Sequence, residues 1–244
     1  MMNKKFLKET LKEIKITLSS KQYEQFDLYY KLLNEKNKVV NLTAITDYNE
    51  VVIKHFLDSL SLVRMFDLNT DFRIIDVGTG AGFPGIPLKI VFPHLNIVLL
   101  DSLNKRIKFL DDIIEQLKLN DSDTCFIKTI HARAEDIAHK EEYRERFDLC
   151  VSRAVANLST LSEYCLPFVK YGGSFVSYKA GNIQEELEEA QKAIKIFGGS
   201  VIKVDSFLLP NTDMERKLIK IDKTSFTSKK FPRRAGTPKK EPIQ

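Results

Sequence analysis

Two hydrophobic rhythms alternate along the chain. Short apolar runs, bounded by glycine or charge, are separated by segments in which apolar residues recur every three or four positions. The short runs are Arg73–Val77, Ile97–Leu100, Thr124–Ile130, Phe147–Ser152 and Ser174–Tyr178. Their length and near-continuous apolarity predict buried parallel strands. Helical spacing predicts helices over residues 86–91, 104–117, 157–168 and 184–197. Strands alternating with helices give a doubly wound α/β sheet. Two further runs, Val201–Leu208 and Arg216–Ile221, predict a hairpin-like pair on one edge, which makes the sheet mostly parallel and seven-stranded. Ahead of the sheet, helices are expected over residues 4–18, from an N-cap at Ser20 to about Lys38 with Tyr23, Phe26, Tyr30 and Leu33 at helical spacing, and from Glu50 to Phe66.

The first strand runs into the densest chemistry. After Asp76 and Val77 come Gly78, Thr79, Gly80, Ala81, Gly82, Phe83, Pro84 and Gly85. Glycines let a chain turn tightly after a strand and approach a ligand closely. Two frames fit. Gly80, Gly82 and Gly85 satisfy the G-x-G-x-x-G of dinucleotide binders, with Asp101 as the acidic residue further on. The frame starting at Asp76 reads D-x-G-x-G-x-G, the first motif of S-adenosylmethionine methyltransferases. The acid at the strand end and the bulk of Phe83 and Pro84, which would crowd a diphosphate, favour the second.

Ligands in such sheets lie beyond the carboxyl ends of the strands. Four ends carry polar or glycine residues: Gly78 to Phe83, Asp101, Ala134–Glu135 and Ser152–Arg153. Asp101 is expected to bind ribose hydroxyls. Arg153 either pairs with an acid such as Asp76 or holds substrate. His55, Asp58 and Ser59 share a helical face and are candidates to face the mouth of the site. The fourth strand ends in Ser–Arg–Ala–Val, not in the Asn/Asp-Pro-Pro-aromatic loop used on exocyclic amines. Cys150 and Cys165 fall in apolar segments and read as small buried hydrophobes rather than nucleophiles. The acidic start and basic end of the 184–197 helix complement its dipole and need no ligand.

Composition narrows the class. The 244 residues are 43% hydrophobic and 29% charged, without an apolar run of membrane-spanning length. Three cysteines and four histidines make no metal-ligand spacing. A metal-free, cytoplasmic protein, read as a monomer and without a signal peptide, is expected. The net charge of +5 is concentrated at one end. Residues 223–244 hold seven Lys or Arg and one Glu, against 31 basic and 32 acidic residues elsewhere. Lys229, Lys230, Arg233, Arg234, Lys239 and Lys240, with Phe231 among them, are candidates for phosphate contact and base stacking on RNA.

Taken together, NLTAI, HFLDSL, DVGTGAGFPGIPL, DSLNKRIKFL, RAED, SRAVA and FPRRAGTPKKEPI resemble the glucose-inhibited division protein B family of ribosomal RNA small-subunit methyltransferases. The resemblance covers about residues 41 to 243. It implies a Rossmann-like class I methyltransferase that moves a methyl group from S-adenosylmethionine to N7 of one guanine in 16S ribosomal RNA, free or within the small subunit. It further implies that Gly78, Phe83, Ala134, Glu135 and Arg153 contact the cofactor. Gly80 and Asp101 are added from the loop and strand-end reading. No general base is expected, because guanine N7 already carries its lone pair; His55, Asp58 and Arg153 are candidate substrate positioners. A nicotinamide oxidoreductase and a non-catalytic RNA-binding protein are the alternatives. Three parts are expected: a helical extension (1–66), the methyltransferase domain (67–222) and a basic RNA-contacting tail (223–244).

Overall fold

Alternation along the central strands decides what packs where. A computed structural model describes residues 4–120, 125–154 and 156–244. In it β1 (Arg73–Val77), β2 (Asn96–Asp101), β3 (Ile127–His131), β4 (Phe147–Ser152) and β5 (Val169–Lys179) run parallel. β6 (Gly199–Leu208) and β7 (Glu215–Lys223) are antiparallel, and β7 joins β5. The order is β3-β2-β1-β4-β5-β7-β6, so strand order reverses between β1 and β4. The expected seven-stranded, mostly parallel sheet is present.

Successive side chains on a strand point to opposite faces. Ile74, Ile97, Leu99, Leu149 and Val176 join one core; Ile75, Val98, Leu100, Cys150 and Phe175 join the other. The first core is covered by α1 (Lys4–Lys12), α2 (Ser20–Val40), and a continuous helical rod. The rod comprises α3 (Tyr48–Val51), a π-helical turn (Val52–Leu57), α4 (Asp58–Leu60) and a 3-10 turn (Ser61–Arg64). α5 (Gly85–Val91) and α6 (Asn104–Gln116) complete that layer. The N-terminal helices thus share one core with the sheet. The second core is covered by α7 (Ala134–Ile137), α8 (Leu158–Cys165) and α9 (Gln184–Ile196).

Several boundaries differ from the sequence reading. α1 stops at Lys12, and Lys15 takes φ +58, yet Ile16 and Leu18 still reach the core. The cap of α2 is Ser19, not Ser20: its hydroxyl accepts from the Gln22 amide while the Gln22 side chain accepts from the Ser19 amide. Tyr29, rather than Tyr23 or Tyr30, is the tyrosine fully buried on that helix. β3 starts at Ile127, and Thr124 lies outside the described residues. Gly172 and Gly173 fall inside β5 at an irregularity in its pairing with β4, not ahead of it.

The C-terminal segment is built into the fold instead of trailing from it. Phe231 is buried edge-on against Phe197, ring centres 5.0 Å apart. It is therefore unavailable to stack on a base, contrary to the expectation from sequence. Arg144 donates to the carbonyls of Thr227, Ser228 and Phe231. Lys223 is fully buried and paired with Glu145 at 3.2 Å; burial lowers its pKa to about 8. α10 (Thr237–Lys240) closes the segment.

The tight approach of α5 to β2 gives a stability prediction. A Cβ on Gly85 would lie 2.3 Å from Leu99 Cδ2 and 3.1 Å from Asp76 Oδ2. Gly85→Ala is expected to cost about 1–3 kcal/mol by overpacking, read from urea unfolding. An unchanged midpoint would mean that the helix and strand separate freely.

Candidate active site

The loop after β1 is tied at both ends by one carboxylate. Asp76, fully buried, accepts from Thr79 Oγ1 at 2.7 Å and from the Gly85 amide at 2.9 Å. Burial raises its pKa to about 7, against those hydrogen bonds. Gly78 and Gly80 adopt φ +72 and +63, a region costly for residues with a Cβ. Tyr29 supports the loop from α2, donating to the Ala81 carbonyl at 2.6 Å. The glycines divide by role. A Cβ on Gly82 would strike Ile86 and Leu110, and one on Gly85 would strike Leu99, so both serve packing. A Cβ on Gly80 would meet nothing within 4 Å.

That open space is a cavity of about 580 Å³ over the carboxyl ends of β1, β2 and β4, at the reversal in strand order. Gly78, Gly80, Phe83, Asp101, Ala134, Glu135 and Arg153 all line it, so the seven residues singled out in the sequence converge on one wall-to-wall space. Asp101 accepts from the Gly80 amide (3.0 Å), the Leu103 amide (2.9 Å) and Arg106 (3.2 Å). Oδ2 takes the Gly80 and Arg106 bonds and Oδ1 the Leu103 bond, so Oδ1 keeps further acceptor capacity. Sequence reading missed Arg106, Tyr164 and Thr43, which also line the cavity. Arg106 and Tyr164 sit within helical periodicity, where no local signal separates a pocket wall from an ordinary surface.

Arg153 does not pair with Asp76. Its partner is Asp58, at 3.0 Å, and it also donates to the Lys54 carbonyl at 3.1 Å and to His55 Nδ1 at 3.2 Å. Its guanidinium lies 4.9 Å from the centre of the Phe83 ring. The π-helical turn of the rod leaves the Lys54 carbonyl pointing at this site. His55 stacks on Phe83 with ring centres 4.6 Å apart, and its Nε2 lies 2.8 Å from Thr43 Oγ1. Burial first, then Arg153, lowers the His55 pKa to about 3. Its Nδ1 lies between the Arg153 guanidinium, a donor at 3.2 Å, and the Lys54 carbonyl, an acceptor at 3.1 Å, so these contacts do not assign the ring proton. His55, Asp58 and Arg153 are thus one cluster. Ser59 turns away from it and donates to the His55 carbonyl at 2.6 Å.

The cluster forms a partition. Beyond it lies a second basin of about 590 Å³ that shares His55, Arg153, Ala154 and Ala156 with the cavity and adds Lys54, Asp58, Asn157, Tyr178, Lys179 and Arg216. Asp58 also faces Arg216 at 3.3 Å. Lys179 is held by Glu186 at 2.6 Å, and Glu186 caps the start of α8 through the Leu158 amide. Glu186, among the early glutamates of α9, thus does more than complement the helix dipole.

Of the six tail cations, Lys229, Lys230, Arg234, Lys239 and Lys240 are exposed. Arg233 is different. Its guanidinium and its backbone amide both bind the buried Glu163, at 2.7 Å each, so it anchors the segment to α8.

This architecture is that of Rossmann-like methyltransferases. A predicted O-methyltransferase from Agrobacterium tumefaciens matches with a TM-score of 0.55 at 19% identity, over 70% of this chain and 81% of that one. A methyltransferase from Pyrococcus furiosus matches at 0.54 and 15%, over 83% and 98%. The chain belongs to the GidB family, rRNA small subunit methyltransferase G, whose family model matches residues 22–218. A relative from Lachnoclostridium phytofermentans with the name Ribosomal RNA small subunit methyltransferase G is 52% identical over 96% of this chain and 94% of its own. One of the same name from Bacillus cereus is 46% identical over the full length of both. The fold and family imply S-adenosylmethionine as the methyl donor.

The electrostatics of the partition predict a pH dependence. His55 is held near 3, so between that value and its ordinary 6.5 the unfolded chain binds a proton that the folded chain refuses. Stability from this group rises with pH over that window and is lost on acidification. Asp76, raised from 3.8 to about 7, acts in the opposite sense between those values. His55→Gln is expected to lessen the acid loss between pH 6 and pH 4, by up to about 1.4 kcal/mol per pH unit in urea unfolding. An identical slope in the variant would mean that His55 titrates freely.

Proposed function

We propose that this enzyme transfers a methyl group from S-adenosylmethionine to N7 of a specific guanine in 16S ribosomal RNA. The observation that carries the reading is the pair of adjoining basins divided by His55, Asp58 and Arg153 at the reversal in strand order. The cofactor belongs in the cavity under the loop. The empty approach above Gly80, which a side chain would fill, suits a nucleoside lying against backbone. Gly78 and Gly80 would give it room, Asp101 would accept from ribose hydroxyls, and Phe83, Ala134, Glu135 and Arg153 would complete the contacts. When bound, the cofactor supplies an electrophilic methyl group on a sulfonium.

A target guanine entering the second basin would meet the partition. There Arg153 and Asp58 hold each other rigidly, and His55 is kept neutral against Phe83. N7 needs no deprotonation before attack, so these residues act by orientation and by excluding water, not as bases. Lys54 and Arg216 on the basin wall would face the phosphates of an extruded nucleotide. The dinucleotide alternative fits less well. Its second glycine should face a pyrophosphate, whereas Gly82 is packed against Tyr29, Ile86 and Leu110.

The five exposed tail cations are assigned to RNA phosphates, and Arg233 is withdrawn from that set. Ribosomal RNA as substrate places the enzyme in the cytoplasm. No helix among the described residues is long and apolar enough to cross a membrane.

Incubation with methyl-labelled cofactor and 16S RNA or small subunits, followed by mapping, is expected to yield 7-methylguanosine at one position. No label on either substrate would overturn the reading. Replacing Lys229, Lys230, Arg234, Lys239 and Lys240 together by Gln should weaken RNA binding. It should also flatten the salt dependence by roughly 0.7 to 0.9 in log–log slope for each phosphate that is no longer neutralised. An unaltered slope would leave the tail without a role in RNA binding.

A further inference from the structure

The C-terminal segment reaches the cofactor cavity from behind. α8 works on two sides. Leu161 and Tyr164 line the cavity. Ser159 donates to the Ile243 carbonyl, Thr160 donates to the Pro238 carbonyl at 3.1 Å, and Glu163 clamps Arg233. Between these anchors passes Gly236, whose amide donates to Glu135 Oε1 at 2.9 Å. Glu135 is buried and is itself a wall of the cavity. Gly236 sits at φ +88, and a Cβ on it would meet nothing within 4 Å. Glycine is required there by the backbone angle that aims the N–H at Glu135, not by lack of space. Exposed cations flank that residue on both sides: Arg234 before it, Lys239 and Lys240 after it.

We propose that the C-terminal segment is a positioning element for the cofactor site: the Gly236 amide fixes the Glu135 carboxylate, and the same segment couples RNA binding to cofactor binding. This rests on the reading that the cavity holds S-adenosylmethionine. Phosphates seated on Arg234, Lys239 and Lys240 hold the segment down on α7 and α8, and so hold Glu135 in place. By linkage, bound cofactor must then strengthen RNA binding by the same factor.

The test is calorimetric titration of the full chain with S-adenosylhomocysteine, which avoids turnover, with and without a saturating 16S RNA fragment. For the native chain, RNA is expected to lower the Kd by about 5- to 10-fold. Gly236→Ala keeps the amide but disfavours its left-handed backbone, and should raise the RNA-free Kd by roughly 5-fold. Glu163→Gln, which releases the anchor without touching the cavity, should raise it too and shrink the gain from RNA. The triple variant Arg234→Gln, Lys239→Gln, Lys240→Gln should lose that gain. If Gly236→Ala and Glu163→Gln lower the melting temperature but leave the Kd alone, the segment is merely structural and the proposal is wrong. Should those two fail to fold, the surface triple variant still decides: a full gain from RNA retained there overturns the coupling. A native chain whose Kd ignores RNA also overturns it, while the cofactor reading survives. A native chain that binds no S-adenosylhomocysteine sinks the cofactor reading, and the coupling falls with it.

Discussion

The structure hangs on the half-buried guanidinium of Arg153 and its pairing with the buried Asp58. Arg153 rises from the end of β4 and takes its partners from the N-terminal rod: the Asp58 carboxylate, the Lys54 carbonyl and the His55 ring. With the face of Phe83 beneath it, the charge is both paired and hydrogen-bonded, the condition under which a charge is tolerated away from water. Removing Asp58 would leave the Arg153 guanidinium without its carboxylate, whereas removing Arg153 would leave Asp58 with Arg216 alone, at 3.3 Å. Arg153 therefore joins two layers, because the rod cannot shift against the sheet without exposing Asp58. It also fixes the wall between the two basins. Placement of the site's polar groups and cohesion of the N-terminal helices are one constraint.

A second carboxylate does the corresponding task for the loop. Asp76 pins Thr79 and Gly85 while the hydroxyl of Tyr29 holds the carbonyl of Ala81. The loop is thereby preorganised, with two glycines turned to the cavity and two turned into the core. Rigid backbone suits a reaction whose barrier is lowered mainly by geometry, since a fixed near-attack arrangement has little entropy left to lose. Charge within the site is arranged to the same end. Burial and the neighbouring Arg153 keep the His55 ring uncharged near neutral pH.

The C-terminal segment shows how a basic stretch can be two things at once. Phe231 turns into the second core, Arg233 binds Glu163 on α8 and Lys223 is buried beside Glu145, while Lys229, Lys230, Arg234, Lys239 and Lys240 stay in water. A purely electrostatic tail would need no such seat. Fixing it beside α7 and α8 sets the surface charges at a constant position relative to the cavity mouth, which suits a substrate that must be held in register.

Much was legible in the chain itself. Strand and helix periodicity decided the doubly wound sheet, because burial on both faces of a parallel strand demands continuous apolar runs. Seven residues of the cavity wall, from Gly78 to Arg153, were readable because the carboxyl ends of parallel strands necessarily converge. What remained hidden was every pairing between distant segments. That Arg153 binds Asp58 rather than Asp76, that Arg233 binds Glu163, and that the Gly236 amide binds Glu135 are contacts between positions 70 to 101 residues apart. Sequence carries each partner's chemistry but not its distance from the other. Charge and hydrogen-bond capacity are local properties of a residue; which neighbour satisfies them is chosen only when the layers close over one another.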